Sequence, residues 1–404
     1  MSALVRTDDV RRQNTRLIMQ ALRRHKCASR TEIVSQTGLS AATVSTITSS
    51  LIADGILLSE DEPPPHGAEV VSRRGRPRVT LSLNPQVGCI VVMVLAVSSL
   101  SGSLQDYAGH VLIQEHDHFP TRTASISDLE HHLVRMVTRL MAQQGSQSMP
   151  LRYIALGVQG VVDAGAQTML WSPVTAHLNL PLGEMLHQAF HVPVWVANDC
   201  NMIAEALQWL EPERFSGNFA AILLASGIGM GLMLKGQRFI GTRSSAAEFG
   251  HMVHIPGGAL CRCGQRGCIE AYAGDYAIWR RVAGLSADSE PLDEVDSAAM
   301  EVLIVRAQTH DGIERQAYRE AGQALGHGLR SLFALIDPVA VAFVGQGVRT
   351  FSLMEPEIRA ALQNSGNMLA ANEVSLSCHA DAQALIQLGC AVIALQTIDH
   401  TFGE

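Results

Sequence analysis

The densest chemistry in the sequence lies between Gly250 and Glu270. It reads Gly250-His251, nine residues, then Cys261-Arg262-Cys263-Gly264-Gln265-Arg266-Gly267-Cys268-Ile269-Glu270. Three thiolates and one imidazole make a complete tetrahedral zinc set, and four protein ligands with no open position describe a structural ion rather than a catalytic one. Gly264 and Gly267 give so short a loop the backbone freedom to wrap its sulfurs around one ion. The alternatives are buried free cysteines or a redox dithiol, but Cys-x-Cys is not the Cys-x-x-Cys spacing of a redox pair. His251, Cys261, Cys263 and Cys268 are therefore expected to hold one Zn2+ per chain.

Other residues near this cluster could handle a hydroxyl-rich ligand. Asn198-Asp199 follows an apolar stretch at 194–197, and Glu248 stands three residues before His251. A carboxylate at the carboxyl end of a strand in an α/β protein is placed to hydrogen-bond a ligand hydroxyl or take its proton. An Asn-Asp pair is as often a turn or a helix cap. Ser226-Gly227-Ile228-Gly229-Met230-Gly231 could cradle phosphate with backbone N–H groups, or could be a plain hairpin turn.

A third group belongs to nucleic-acid chemistry. Residues 10–24 form an amphipathic helix with Val10, Leu17, Ile18, Ala21 and Leu22 on one side and arginines on the other. Ser29-Arg30-Thr31-Glu32 is a capping box that opens a helix over 30–37, Gly38 makes the turn, and Ser40 caps a third helix over 41–54 ending at Gly55. Ala42, Thr43, Ser45, Thr46 and Ser49 leave this third helix small and polar, fit to enter a major groove. Short strands at 56–58 and 79–83 flank a long loop, as a β-wing does. In that loop stands Arg73-Arg74-Gly75-Arg76-Pro77-Arg78, which could send Arg74 and Arg76 into a minor groove. With Pro63-Pro64-Pro65-His66-Gly67 before it, the same segment could be a solvated linker.

These groups need a chain that can position them, and 404 residues suffice for two or three domains. With 47% hydrophobic and 17% charged residues, the composition excludes a disordered polymer. The net charge of -8 is uneven: residues 1–80 carry 12 basic and 8 acidic side chains, the remainder 18 and 30. A basic head on an acidic body suits a small anion-binding module attached to a larger one. No secretory leader or 18-residue apolar run is visible, so a cytoplasmic protein without disulfides and without a membrane span is expected. Beyond residue 85 apolar strands alternate with amphipathic helices: strands at 88–97, 103–106, 111–116, 153–157, 194–197, 220–225, 231–235 and 339–344, helices at 126–143, 182–190, 202–209, 313–336 and 383–398. A strand meander followed by βαβ, given twice, describes a two-lobed α/β protein with a cleft.

The sequence resembles the ROK family (repressor, open reading frame, kinase), and within it regulators of the NagC/Mlc/XylR type. The resemblance runs nearly the whole chain. Its most specific part is Glu248-x-Gly250-His251 followed by Cys261-x-Cys263-Gly264-x-x-Gly267-Cys268-x-Glu270. It implies a winged helix-turn-helix followed by a two-lobed actin/hexokinase-like (ribonuclease H-like) sugar-kinase fold. Residues 1–82 would form the DNA-binding domain with its linker, 83–198 with 383–404 the first lobe, and 199–382 the second, with the zinc site and dimerisation surface. It implies that Asn198, Asp199, Glu248, His251 and Glu270 hold sugar hydroxyls, Asp199 matching the kinases' general base.

Two departures bear on activity. Where the kinases carry Asp-x-Gly-Gly-Thr-Lys for phosphate and metal, this chain has Val94-Leu95-Ala96-Val97-Ser98-Ser99, so the acid is a valine and both glycines carry side chains. Where they carry Pro-Asn-Leu, it has Pro173-Val174-Thr175, and Val174 cannot replace the sugar-contacting Asn; His177 and Asn179 are nearby polar candidates. The expectation is a sugar-responsive regulator, a repressor of carbohydrate genes, with no catalytic residues. It would bind a pseudo-palindromic operator as a homodimer or dimer of dimers, with a sugar or sugar phosphate in the cleft as effector. A sugar kinase with a fused DNA-binding head is the alternative, and a regulator answering to a protein partner the third possibility.

Overall fold

A computed structural model describes residues 7–61, 79–145, 148–242, 244–292, 295–363 and 374–402. The chain divides into two compact units: Met1–Val158 with Ala166–Val196 and Cys390–Glu404, and Gln159–Gly165 with Ala197–Gly389.

The first unit opens with a winged helix. α1 (Thr7–His25), β1 (Cys27–Ser29), α2 (Arg30–Thr37) and α3 (Ala41–Ala53) are followed by β2 (Leu57–Asp61) and β3 (Val79–Leu83). The capping box forms as the spacing requires: Ser29 Oγ accepts from the Glu32 N–H at 3.3 Å, and Glu32 Oε2 accepts from the Ser29 N–H at 2.8 Å. Gly38 ends α2 in the left-handed region at φ 69°. The three strands form a sheet in the order β1-β3-β2. On α1, Ile18, Ala21 and Leu22 are buried as expected, but Val10 is 44% exposed and the fully buried Met19 joins the core face.

β4 (Cys89–Ala96), β5 (Ser99–Asp106) and β6 (Val111–His118) form the meander, joined by α4 (Ile126–Ala142) to β7 (Leu151–Val158) and by α5 (Leu182–Phe190) to β8 (Val194–Asn198). The sheet order is β8-β7-β4-β5-β6, with β4 antiparallel to β5 and parallel to β7. Central β4 is buried on both faces, which is why it reads as an unbroken apolar run. β5 begins at Ser99, earlier than the expected 103.

The second unit begins with α6 (Asp199–Leu210). Its sheet contains β9 (Phe219–Leu224), β10 (Ile228–Leu234), β11 (Gln237–Arg238), β12 (Ala340–Val344) and β13 (Leu376–His379), in the order β11-β10-β9-β12-β13. Around it lie a short helix α7 (Glu270–Ala273), α8 (Asp275–Val282), α9 (Ser297–Thr309), α10 (Ile313–Ile336) and α11 (Phe351–Gln363); of the last helix, α12 (Ala382–Thr401), the residues up to Gly389 belong to this unit and the rest to the first. The core brings Ile222, Leu224 and Phe343 of the sheet against Leu325 and Leu329 of α10 and Ile358 of α11.

One expectation is corrected here, and of the two readings of the glycine stretch the hairpin is the one that forms. The helix expected at 202–209 starts at Asp199, because the Asn198 side chain accepts from the Asn201 N–H at 2.9 Å and caps it. The glycine stretch is not an open phosphate cradle: Gly229 and Gly231 lie inside β10. A Cβ on Gly229 would sit 2.5 Å from Cys200 Sγ, and one on Gly231 would run into the Cys200 carbonyl oxygen. These glycines let α6 lie directly on the strand. Among the described helices, α12 alone has the length and apolarity to cross a bilayer, and it spends that apolarity on Leu385, Ile386, Cys390, Ala391, Ala394, Leu395 and Ile398, all buried in the protein.

Candidate functional site

The zinc-type loop runs from a single 3-10 turn, Phe249–His251, to the start of α7. Bridges between Val253 and Cys268 and between Leu260 and Arg266 fold the loop back on itself. Gly264 and Gly267 adopt φ 81° and 83°, and a Cβ on Gly267 would strike the Ile255 carbonyl. The ligand atoms of His251, Cys261, Cys263 and Cys268 all lie within 4.8 Å of one another. Cys261 Sγ is 3.7 Å from His251 Nδ1, and Cys263 Sγ is 3.7 Å from Cys268 Sγ. A tetrahedron with Zn–S bonds of about 2.3 Å has edges of ~3.8 Å, so the donor set has the size of a zinc shell. Burial pushes the Cys261 and Cys268 thiols up, the latter to about 11, so their thiolates are disfavoured until a cation offsets them.

The carboxylates expected beside this loop take different postures. Glu248 is half exposed, with Oε2 3.9 Å from His251 Nε2, the ring nitrogen opposite the cysteine-facing one. Glu270 is buried: Oε2 accepts from the Ile228 N–H at 3.0 Å, and Oε1 lies 3.5 Å from the Tyr276 hydroxyl and 3.7 Å from Cys261 Sγ. It ties β10 to the cysteine loop. Asp199 is buried, and its Oδ1 accepts from the Cys200 N–H at 2.8 Å and from Asn198 Nδ2 at 3.2 Å. Asn198 Nδ2 also donates to the Gly160 carbonyl at 2.8 Å. Burial pushes the Asp199 carboxyl up to about 6; the Cys200 N–H opposes this, and the charge of Glu248 reinforces it. Glu248 is raised too, by burial first, with His251 opposing and Glu270 adding. The second unit thus brings Asp199, Glu248, His251 and Glu270 into one electrostatic group.

Two residues of this group carried no signal in the sequence reading. Tyr276 places its hydroxyl 3.6 Å from Cys261 Sγ. Arg262 stacks on the Tyr276 ring at 4.3 Å while donating to the Ser226 and Leu292 carbonyls. Arg262 acts through distant backbone and Tyr276 through side chains that the fold brings to it, neither of which spacing along the chain reveals.

In the first unit, Val94 is buried in β4, and Val97-Ser98 forms the tight turn into β5 with Ser98 at φ 57°. Val174 is fully buried, and His177 Nε2 bonds the Ala124 carbonyl at 2.9 Å. Asn179 is exposed. On α3, Ala42, Ser45, Thr46 and Ser49 are exposed and Thr43 half-buried, while Val44, Ile47, Thr48 and Leu51 face inward. The hydroxyl of Thr43 meets Ser40 Oγ at 2.8 Å, and that of Thr46 donates to the Ala42 carbonyl at 2.9 Å. Arg74 and Arg76 lie outside the described residues.

The profile of the ROK family matches residues 99–396. The "Xylose repressor" of Caldicellulosiruptor bescii is 25% identical over 337 residues, 81% of this chain and 82% of the relative. The "DNA-binding transcriptional dual regulator NagC" of Escherichia coli is 24% identical over 356 residues, 88% and 86%. Among solved structures, a ROK family transcriptional regulator described as a homolog of the E. coli MLC protein superposes with a TM-score of 0.79 at 23% identity, covering 98% of both chains. The ROK hexokinase of Thermus thermophilus gives 0.61 at 23% identity, covering 77% of this chain and 99% of its own. The family profile covers most of the sequence, and the fold of a ROK regulator covers nearly all of it: the chain belongs to the ROK family.

Proposed function

We propose that this chain is a sugar-responsive transcriptional repressor of carbohydrate genes, acting on DNA in the cytoplasm as a homodimer. The observation that carries it is α3: a Ser-capped second helix of a helix-turn-helix turns a small polar face outward, at the head of a ROK body. Relatives carrying repressor names over most of their length support the same reading. Ala42, Thr43, Ser45, Thr46 and Ser49 would read base edges, and Arg74 and Arg76 an adjacent minor groove.

The effector is a sugar or sugar phosphate. Asp199 and Glu248 accept from its hydroxyls, His251 orients Glu248, and Asn198 holds Asp199 in place through the bond at 3.2 Å. Glu270 ties β10 to the cysteine loop through the Ile228 N–H and the Tyr276 hydroxyl, and with its remaining lone pairs would hold a further sugar hydroxyl beside His251. His251, Cys261, Cys263 and Cys268 would hold zinc, which when bound supplies a closed structural cross-link with no open coordination position. A sugar acts on DNA affinity only through its different affinity for two arrangements of the protein.

The kinase alternative is favoured by the hexokinase likeness and by Asp199 at the start of α6. Against it stand Val94 where a metal-binding acid is needed and a two-residue turn bearing side chains where phosphate must approach.

One experiment tests the reading. A duplex enriched by the chain from random-sequence DNA is titrated with and without xylose, glucose, N-acetylglucosamine and their phosphates, and ADP release is followed with MgATP and the same sugars. Specific duplex binding weakened by one sugar is expected, with ADP release at background. Turnover that vanishes in Asp199→Asn would make the chain a kinase. Specific binding indifferent to every sugar but altered by a protein from extract would point to a protein effector.

A further inference from the structure

α1 and α12 are joined by a buried polar cluster that includes none of the residues assigned to DNA or sugar. Arg23, in the last turn of α1, donates from Nε and Nη2 to Asp399 Oδ2 and Oδ1 at 2.7 and 2.6 Å, and from Nη1 to the Tyr107 carbonyl at 2.7 Å. The Tyr107 hydroxyl donates to the same Asp399 Oδ1 at 2.5 Å. The guanidinium sits 4.5 Å from the centre of the Tyr107 ring, whose edge meets Phe402 at 5.7 Å. The Arg23 and Asp399 side chains are each 4% exposed.

A pair this deeply buried is a poor device for stability alone, because apolar side chains of similar volume do as well or better once desolvation is counted. What the pair provides is direction: a planar fork engaged on three sides accepts one orientation of α1 and resists others. The location matters as well. The opening residues of α12 belong to the second unit, where Gly389 has no side chain to keep the helix off the Met202 carbonyl of α6, the helix that Asn198 and Asp199 open. The rest of α12 belongs to the first unit and ends in the cluster.

We propose that Arg23, Tyr107 and Asp399 are positioning residues: they fix the winged helix to α12 and so set the angle at which α3 is presented to the operator. The proposal rests on the repressor reading above. Without the cluster the head swivels, and two heads on one dimer no longer hold one separation.

The test uses the full chain and the enriched duplex, together with duplexes whose half-sites are moved apart or together by one or two base pairs. Asp399→Asn leaves Arg23 buried and unmatched, and should lower the melting temperature and weaken operator binding by about tenfold or more. The deciding variant is the double Arg23→Met/Asp399→Leu, which replaces the pair with apolar packing. It should melt well above Asp399→Asn, though below wild type because the Tyr107 hydroxyl and carbonyl lose their partners, yet still bind the preferred duplex about tenfold more weakly and accept the altered spacings nearly as well. Tyr107→Phe should fall between. A stable double variant with wild-type affinity and wild-type spacing preference would reduce the cluster to packing and overturn the proposal alone. A wild-type chain that enriches no duplex removes the repressor reading, and the proposal with it.

Discussion

At the scale of single residues, Asp199 makes the clearest commitment. Burial disfavours the charged form of its carboxyl and pushes it up to about 6 in the folded chain, against an ordinary 3.8. A folded pKa above the unfolded one means that its contribution to stability is fully present below about pH 4 and is lost as pH rises through 6. Asp199→Asn keeps an oxygen for the Cys200 N–H without the charge. It should therefore be more stable than wild type by about 3 kcal/mol at pH 8, a gain that falls to about 1 kcal/mol at pH 4.5, in urea unfolding at the two pH values. A gain independent of pH would show that the carboxylate is not desolvated. Sugar binding should be lost in the same variant. Cys261 carries a second prediction. Its sulfur faces His251, Glu270 and Tyr276 at once, so Cys261→Ala should release about one zinc per chain and lower the melting temperature by on the order of 10 °C. Retained zinc with an unchanged melting temperature would remove Cys261 from the donor set.

At the scale of elements, the contact between α6 and β10 decides more than either element does. Gly231→Ala places a methyl against the Cys200 carbonyl, backbone that cannot swing aside, and should cost about 1–3 kcal/mol in urea unfolding. Since α6 begins at Asp199, the sugar-induced melting shift should weaken with it. The same contact shows what the sequence could not tell. Gly227, Gly229 and Gly231 have the look of a phosphate loop, yet two of them exist for close packing, a need set by a helix some thirty residues earlier. α2, α5 and α10 were legible because their signals are local: a Ser29–Glu32 capping box, or uninterrupted 3.6-residue periodicity. α8, α9, α11 and β13 went unread for local reasons: α8 and β13 are short, α9 carries the exposed Val302 and Val305 as well as its buried apolar face, and Pro356 interrupts the pattern of α11. The cysteine spacing was legible because nearly all its geometry lies within one short loop, whereas Tyr276 and Arg262 join it only through the fold.

At the scale of the whole molecule, the proposed dimer makes a geometric claim about DNA. Two winged helices related by two-fold symmetry need two inverted half-sites with centres about one helical turn, roughly 10 base pairs, or a multiple of it apart. Sequencing the duplexes that the chain enriches checks this directly; single, unpaired half-sites would contradict a symmetric reader. The basic head was visible as a charge asymmetry, and the body as alternating strands and helices. The attachment of one to the other was not visible, because a lone Arg23 and a lone Asp399 carry no pattern. Their separation, 376 positions along the chain, has a consequence for biosynthesis. The cysteine loop closes over a few residues and can form as soon as it is made, since short closures cost little entropy. The bond between α1 and α12 must wait until Asp399 has been translated, well over a hundred residues after the cysteine loop, so a nascent chain can already close that loop while its N-terminal winged helix is still unanchored.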